Sequence, residues 1–184
     1  VAGRLGMHGG EDRVAVIYAQ GDIVYGKGTV SQISEEALRK GFEKAAEDDR
    51  VKAVVLRVNS PGGVSITADN IWKMVEDLKS EKPVVVSMGD YAASGGYYIS
   101  CGADYIFAEP TTITGSIGVF AYIPNVEELA ARNGITTDQV SIYPHSTDPT
   151  ILTPVSPGLS KIIQNSVEQT YSQFVSRVAQ GRGM

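Results

Sequence analysis

Hydrophobic and polar positions follow two alternating patterns along the chain. Short runs of β-branched and other apolar residues, typical of buried strands, alternate with stretches in which apolar residues recur every three or four positions, as in amphipathic helices. The predicted strands are residues 14–18, 53–58, 84–87, 105–108, 117–122 and 139–143. The predicted helices are residues 34–47, 65–80, 97–101, 126–133 and 159–178. This order predicts an α/β fold with a largely parallel sheet flanked by helices.

The most highly charged stretch of the chain, residues 34–50, also has apolar residues at helical spacing. Ser34 is placed to cap this helix, and Glu35 and Glu36 fall in its first turn, where carboxylates interact favourably with the helix dipole. The pattern therefore predicts a solvated amphipathic helix, and we assign the charges no binding role.

Size and composition limit the classes of function. With 184 residues and 42% apolar content, the chain is expected to form one domain over residues 14–184, truncated at its C-terminus. Residues 1–13 are expected to be a linker or a remnant of cloning. The net charge of −5, with acidic and basic residues interspersed, argues against a nucleic-acid partner. Cys101 is the only cysteine and is expected to be a buried structural residue. No metal-ligand spacing appears, so no metal or cofactor is expected.

Ser94 is the strongest candidate for a chemical role. It lies in Ala-Ala-Ser-Gly-Gly, residues 92–96, between a predicted strand and a predicted helix. At such a turn a serine hydroxyl is exposed, its neighbours have little side chain, and backbone N–H groups point outward. This arrangement suits a nucleophile that attacks a carbonyl group. The residues alone leave a second interpretation open, in which Ser94 only caps the helix.

A second glycine-rich turn follows the preceding predicted strand. It reads Asn-Ser-Pro-Gly-Gly, residues 59–63. Its glycines permit backbone conformations closed to other residues. In open α/β folds the carboxyl ends of parallel strands form the ligand-binding edge of the sheet. Two such turns at one edge favour a functional site over ordinary hairpin chemistry.

Together with Thr-Gly-Ser-Ile-Gly at residues 114–118, these motifs resemble, in order and spacing, those of the signal peptide peptidase A family. The similarity runs from about residue 14 to residue 180. The family consists of serine–lysine peptidases with a Clp-protease/crotonase-like fold of repeated β-β-α units. The resemblance implies that Ser94 is the nucleophile and that the N–H groups of Gly63 and Gly95 form the oxyanion hole. It also implies that Ser116 hydrogen-bonds the general base, whereas the residues alone indicate an ordinary turn serine.

The resemblance has further implications for substrate, assembly and location. It implies a peptide substrate, namely remnant signal peptides or other membrane-associated peptides, and no cofactor. It implies a homo-oligomer, a tetramer by similarity, associated with the periplasmic side of the bacterial inner membrane. The fragment itself is expected to be soluble, because no apolar run approaches the roughly 18 residues that a membrane span needs.

The lysine of the serine–lysine dyad is missing where the family places it. Residues 141–149, the equivalent segment, contain no lysine. The other lysines lie between glycines, at strand entrances or on charged or amphipathic helices, and these settings would not lower a lysine pKa. In long, tandem-repeat members the N-terminal half supplies this lysine and the C-terminal half supplies the serine. The chain resembles such a C-terminal half. We therefore expect an N-terminal domain of the same protein to complete the dyad, and the isolated fragment to be inactive.

Three alternatives remain at this stage. His145, with Asp148, could replace lysine as the general base, while His8 is a weaker candidate. The chain could instead be a non-catalytic assembly or peptide-binding module that retains the fold. A crotonase-like acyl-CoA enzyme is the third alternative, although that chemistry would not require Ser94.

Overall fold

The computed structural model describes residues 11–143 and 150–184. The chain forms two compact units. The first unit contains the described residues up to Gly118 together with Gln173–Met184, and the second is Val119–Ser172. The expectation of a single domain over residues 14–184 stays a prediction.

The first unit is built on a five-stranded parallel sheet. Its strands are β1 (Arg13–Gln20), β2 (Val51–Ser60), β3 (Val84–Ala93), β4 (Tyr105–Phe107) and β5 (Ile113–Gly115). They follow the order β1-β2-β3-β4, and β5 pairs with the last three residues of β3. The helices of the chain are α1 (Glu35–Glu47), α2 (Ser65–Lys79), α3 (Gly95–Tyr98), α4 (Glu127–Arg132) and α5 (Pro157–Arg182). The predicted α/β fold with a parallel sheet is confirmed.

One face of this sheet carries the hydrophobic core. Alternate residues of a strand point to the same face, and in β2 and β3 one alternating set is buried: Val54, Leu56, Val58, Val84, Val86 and Met88. The helices contribute further core residues, among them Leu38, Phe42, Ile71, Trp72 and Val75. Several large side chains on the strands are exposed instead: Val14, Val16, Tyr18, Tyr105 and Phe107.

Helix α1 begins and ends as its sequence predicts. Ser34 precedes it, and the Oγ of Ser34 accepts a hydrogen bond from the Ala37 N–H at 3.3 Å. At the other end, the Lys82 Nζ donates to the carbonyl oxygens of Ala45 and Ala46 at 2.7 and 2.6 Å. Both contacts satisfy backbone groups that a helix terminus leaves without an internal partner. The prediction of a capped, solvated helix is confirmed.

The last turns of α5, within the first unit, pack against α2 and α3. The Phe174 ring lies 4.6 Å from that of Tyr98, and the Arg177 guanidinium lies 3.8 Å above the Trp72 ring. Asp69 accepts hydrogen bonds from the Tyr98 hydroxyl at 2.8 Å and from Arg177 at 3.3 Å. Burial raises the pKa of Tyr98, so its hydroxyl keeps its proton and remains a donor. This cluster holds α3 against the body of the first unit.

Four local predictions differ from the structure. Residues 117–122 and 139–143 are predicted strands but have no strand pairing among the described residues. Conversely, β5 lies where the sequence indicates only a turn. The physical reason is the same in each case, because a strand needs a backbone partner and an apolar pattern does not specify one. The predicted helix at residues 97–101 begins earlier, at Gly95.

The second unit contains α4 and the first part of α5. The Val126 N–H, at the start of α4, donates to the Ile151 carbonyl at 2.8 Å. Across residues 11–143 and 150–184, no helix combines the length and the apolar character needed to cross a membrane.

Cys101 is predicted to react slowly with thiol reagents in the folded protein. Its side chain is fully buried, and burial raises its pKa to about 11. The thiolate is the form that reacts, and the thiol of an unfolded chain has a pKa of about 8.5. We therefore expect alkylation of Cys101 by iodoacetamide at about pH 8 to be at least about 100-fold slower in the folded state. Intact mass against time measures the rate, with guanidinium-unfolded protein as the control. Equal rates in the two states would contradict the structural role of Cys101.

Candidate active site

Ser94 occupies a strained turn between β3 and α3. Its φ of 50° and ψ of −119° lie in a region that residues with a side chain rarely adopt. Such a conformation costs about 1–3 kcal/mol and persists only where the surroundings enforce it. Here the Ser94 N–H donates to the Gly115 carbonyl at 2.9 Å, and the Ser94 carbonyl accepts from the Tyr98 N–H at 2.9 Å. These two bonds hold the turn from both sides.

The Ser94 side chain is not engaged as a helix cap. Its Oγ accepts no hydrogen bond from the N–H groups at the start of α3. The residue is half-buried, and within the described part of the chain its hydroxyl has no hydrogen-bond partner. Of the two interpretations that the sequence leaves open, capping is therefore wrong, and the hydroxyl is free for another role.

The turn of residues 59–63 lies directly against the Ser94 turn. Gly62 has a φ of +109°, and a Cβ there would lie 2.7 Å from the Gly95 nitrogen and 2.9 Å from the Ser94 Cβ. Gly63 has a φ of +148°, and a Cβ there would overlap the Ile23 carbonyl oxygen. Both positions therefore require glycine. The structure confirms that the two glycine-rich turns meet at one edge of the sheet.

Two backbone N–H groups next to Ser94 have no hydrogen-bond partner within residues 11–143 and 150–184. Ile23 donates to the Gly62 carbonyl at 2.8 Å. In a trans peptide the N–H points opposite to the carbonyl, so the Gly63 N–H points away from Ile23. A Cβ on Gly95 would lie 3.2 Å from the Gly63 nitrogen, so the two residues are neighbours. Among the described residues, neither the Gly63 N–H nor the Gly95 N–H has a hydrogen-bond acceptor. Paired free donors of this kind can stabilise an oxyanion.

Ser116 lies beside Ser94 across the sheet. Strand β5 pairs with β3 so that Gly115 is opposite Ala93, the last residue of each strand, and a serine directly follows both. Ser116 also has a positive φ, of 51°, and it is exposed. The structure therefore brings Ser94, Gly63, Gly95 and Ser116 to the same edge of the sheet.

The lysines of the chain are engaged elsewhere or solvated. All eight belong to the described residues, six are exposed, and Lys79 and Lys82 are half-buried. The Lys79 Nζ binds Glu76 at 2.8 Å and the Gly102 carbonyl at 2.6 Å, and Lys82 binds carbonyls at the end of α1. Three exposed lysines form ion pairs with acids outside the Ser94 turn: Lys40, Lys52 and Lys73. No lysine has the desolvated environment that a neutral general base requires.

The histidine candidates cannot be compared with this geometry. His145 and Asp148 lie outside the described residues, and so does His8. Within residues 11–143 and 150–184, no group of three or more His, Cys, Asp or Glu residues is placed to hold a metal ion.

Three residues that support the site were not singled out for a role from the sequence. Ile23 pairs with Gly63 in a short parallel bridge. The Ile23 N–H donates to the Gly62 carbonyl, and the Ile23 carbonyl accepts from the Val64 N–H. The Asn59 Oδ1 accepts a hydrogen bond from the Tyr91 N–H at 3.0 Å. The Ser60 Oγ accepts one from the Gly62 N–H at 3.1 Å. Asn and Ser in a turn are the only signal that the sequence offers for the last two. An isolated isoleucine offers none.

Comparison with known proteins supports a peptidase. Residues 76–184 match the model of Peptidase family S49. The chain is 39% identical over 172 residues to Protease 4 of Haemophilus influenzae, which covers 93% of this chain and 28% of that protein. It is 33% identical over 189 residues to Serine protease SPPA, chloroplastic, of Arabidopsis thaliana, covering 98% of this chain and 27% of that protein. The chain thus spans little more than a quarter of the length of these relatives.

A solved structure supports the fold. A mutant of ClpP1 from Listeria monocytogenes superposes with a TM-score of 0.51 at 12% sequence identity, covering 92% of this chain and 72% of that one. At this identity the likeness concerns the fold alone, and it confirms the Clp-like α/β architecture.

Proposed function

Because the chain belongs to peptidase family S49, we propose that it is the serine-bearing part of a peptidase that cleaves peptide bonds through an acyl-enzyme at Ser94. One observation carries this proposal. Ser94, in a strained turn, lies beside the N–H groups of Gly63 and Gly95, which have no partner among the described residues. A helix cap or an ordinary turn would need neither the strain nor the free donors.

The proposed reaction follows from these groups. The Ser94 Oγ attacks the scissile carbonyl carbon and gives its proton to a general base, while the carbonyl π electrons move to oxygen. The Gly63 and Gly95 N–H groups bind the resulting oxyanion, and each donor of this kind is worth about 3 kcal/mol of barrier. Collapse of the intermediate breaks the C–N bond, and the base protonates the leaving amine. Water then hydrolyses the acyl-enzyme and releases Ser94.

The general base is proposed to be a lysine from another domain, the N-terminal domain of the same protein. Free lysine titrates near about 10.4, so a lysine base must be desolvated to be neutral at pH 7. The eight lysines of this chain are exposed or bound elsewhere, and this supports a general base supplied by another domain. We also propose that Ser116, exposed beside Ser94, hydrogen-bonds that lysine.

Substrate, assembly and location are proposed from family resemblance. The substrates would be remnant signal peptides or other membrane-associated peptides, cleaved by a homo-oligomer, a tetramer, on the periplasmic side of the inner membrane. The relatives that are named proteases support the peptide substrate.

Labelling with a fluorophosphonate probe, read by intact mass, tests the proposal. We expect no label on the isolated chain, and one label per chain when it is joined to the polypeptide that its gene encodes upstream. The reason is that only the joined protein would contain the neutral lysine. Protein unfolded before the probe is added serves as the control.

Two other outcomes have distinct meanings. Label on the isolated chain would refute the external base, and His145→Ala would then be the next variant. An unlabelled joined protein would refute catalysis at Ser94 and favour the non-catalytic module.

A further inference from the structure

Ser60 is a fully buried serine that touches both glycine-rich turns. Its Oγ accepts a hydrogen bond from the Gly62 N–H at 3.1 Å, which closes the turn leading to Gly63. A Cβ on Gly96 would lie 2.5 Å from the Ser60 carbonyl oxygen and 3.2 Å from the Ser60 Cβ. The turn after Ser94 therefore packs directly on Ser60.

The pairing of β2 with β3 is interrupted just before Ser60. Val58 pairs with Met88, but Ser60 pairs with Ala92, so a single residue of β2 faces three residues of β3. The side chain of that residue, Asn59, accepts a hydrogen bond from the Tyr91 N–H at 3.0 Å and so replaces a ladder bond. Pairing resumes with Ser60 opposite Ala92, two residues before Ser94. The position of Ser94 relative to the 59–63 turn thus depends on these side chains as well as on the sheet.

The bond between the Gly62 N–H and the Ser60 Oγ also helps to fix the direction of the Gly63 N–H. The Gly62 N–H is held by Ser60 and the Gly62 carbonyl by the Ile23 N–H, at 3.1 and 2.8 Å. The bond to Ser60 holds the peptide plane between Pro61 and Gly62, and the bond from Ile23 holds the plane between Gly62 and Gly63. With the planes on both sides of Gly62 held, the Gly63 N–H has one direction. Without the Ser60 hydroxyl, glycines at φ of +109° and +148° have many other accessible conformations.

We propose that Ser60 is a positioning residue for the reaction at Ser94, an inference that rests on the proposed function. Ser60 does not touch the substrate. Through its Oγ it holds the Gly62 N–H, and so the peptide before the one that carries the Gly63 N–H. Through its backbone and Cβ it supports the turn that carries Ser94 and Gly95. It thereby keeps the nucleophile and both oxyanion donors in one geometry.

Ser60→Ala in the joined, active protein tests this role. We expect the rate constant of Ser94 labelling and the kcat for a fluorogenic peptide to fall about 10- to 100-fold, since a misplaced donor loses part of its effect on the transition state. KM should stay near the wild-type value. The affinity for a peptide aldehyde, whose adduct carries an oxyanion, should fall by about the same factor as kcat.

Ser34→Ala is the matched control. Ser34 is also fully buried, and its Oγ also accepts a backbone N–H, that of Ala37, at the start of α1. Its loss should lower the urea midpoint of unfolding without changing the labelling rate of the folded protein. Ser60→Cys, which keeps the volume and a weak acceptor, should give an intermediate labelling rate and covers the case in which Ser60→Ala does not fold.

The outcomes separate this inference from the proposed function. Folded Ser60→Ala that is labelled at the wild-type rate would overturn the positioning role alone, as would an equal loss in Ser34→Ala. Failure of both Ser60 variants to fold, while Ser34→Ala folds, would also overturn it in favour of a purely structural role. Wild-type protein without label at Ser94 would overturn the proposed function and this inference with it.

Discussion

Ser94→Ala is expected to lower peptide hydrolysis and fluorophosphonate labelling by a factor on the order of 10⁴ to 10⁶, the loss typical of removing a serine nucleophile. Cys101 cannot replace it, because the thiol is buried and its raised pKa keeps it protonated. Single-turnover kinetics of the joined protein and intact mass measure the loss. Retained turnover in this variant would refute Ser94 as the nucleophile.

The same variant should fold normally. The Ser94 hydroxyl makes no hydrogen bond to the described residues, so its removal should change the free energy of unfolding by less than about 1 kcal/mol. Ser94→Gly is the companion variant, equally inactive but relieved of the positive-φ strain, and we expect it to be more stable than Ser94→Ala by up to about 1 kcal/mol. Urea denaturation of the three proteins measures both differences. A large destabilisation in Ser94→Ala would mean that activity was lost with the fold.

Gly63→Ala has the second-largest expected effect. A Cβ at Gly63 would overlap the Ile23 carbonyl oxygen and lie 2.8 Å from the Ile23 nitrogen. The bridge to Ile23 must therefore open, and the Gly63 N–H must turn from its position beside Ser94. We expect kcat to fall about 100- to 1,000-fold, the effect of one oxyanion donor. We also expect a loss of about 1–3 kcal/mol in the free energy of unfolding.

Gly41→Ala is the matched control for Gly63→Ala. Gly41 lies inside α1, and a Cβ there would make an ordinary contact with Ile17, at 3.5 Å. Alanine favours a helix interior over glycine, so this variant should be more stable by about 0.5–1 kcal/mol, with wild-type kinetics. Labelling rates are compared at temperatures where both variants are folded. Wild-type kinetics in folded Gly63→Ala would show that the Gly63 N–H is not part of the oxyanion site.

Much of the fold follows from local pattern. The apolar run that forms β2 and the capped amphipathic helix after Ser34 are properties of neighbouring residues, and both predictions are confirmed. Predictions were wrong at residues 117–122 and 139–143, where an apolar pattern resembles a strand but no partner strand is present among the described residues. Periodicity reports which face of a segment is apolar, and it does not report what lies beside it.

In the candidate site too, some features follow from neighbouring residues and others depend on distant segments. The small residues around Ser94 identify the position at which a nucleophile could lie, and the glycine pair at 62–63 identifies a backbone that only glycine can adopt. The missing lysine is likewise a property of the sequence. By contrast, the approach of Gly63 to Gly95 joins segments more than 30 residues apart. The bond from Ser94 to Gly115 joins residues about 20 positions apart.

By itself the sequence determined the α/β class, the candidate nucleophile and its family resemblance, because these depend on residue types and their spacing along the chain. Only the tertiary structure decided that Ser94 does not cap α3, that the Gly63 and Gly95 N–H groups are unpartnered among the described residues, and that Ser60 links the two turns. The physical reason is that hydrogen-bond satisfaction is settled by which segments meet in space. A backbone group is free or bound according to neighbours that the local sequence does not contain.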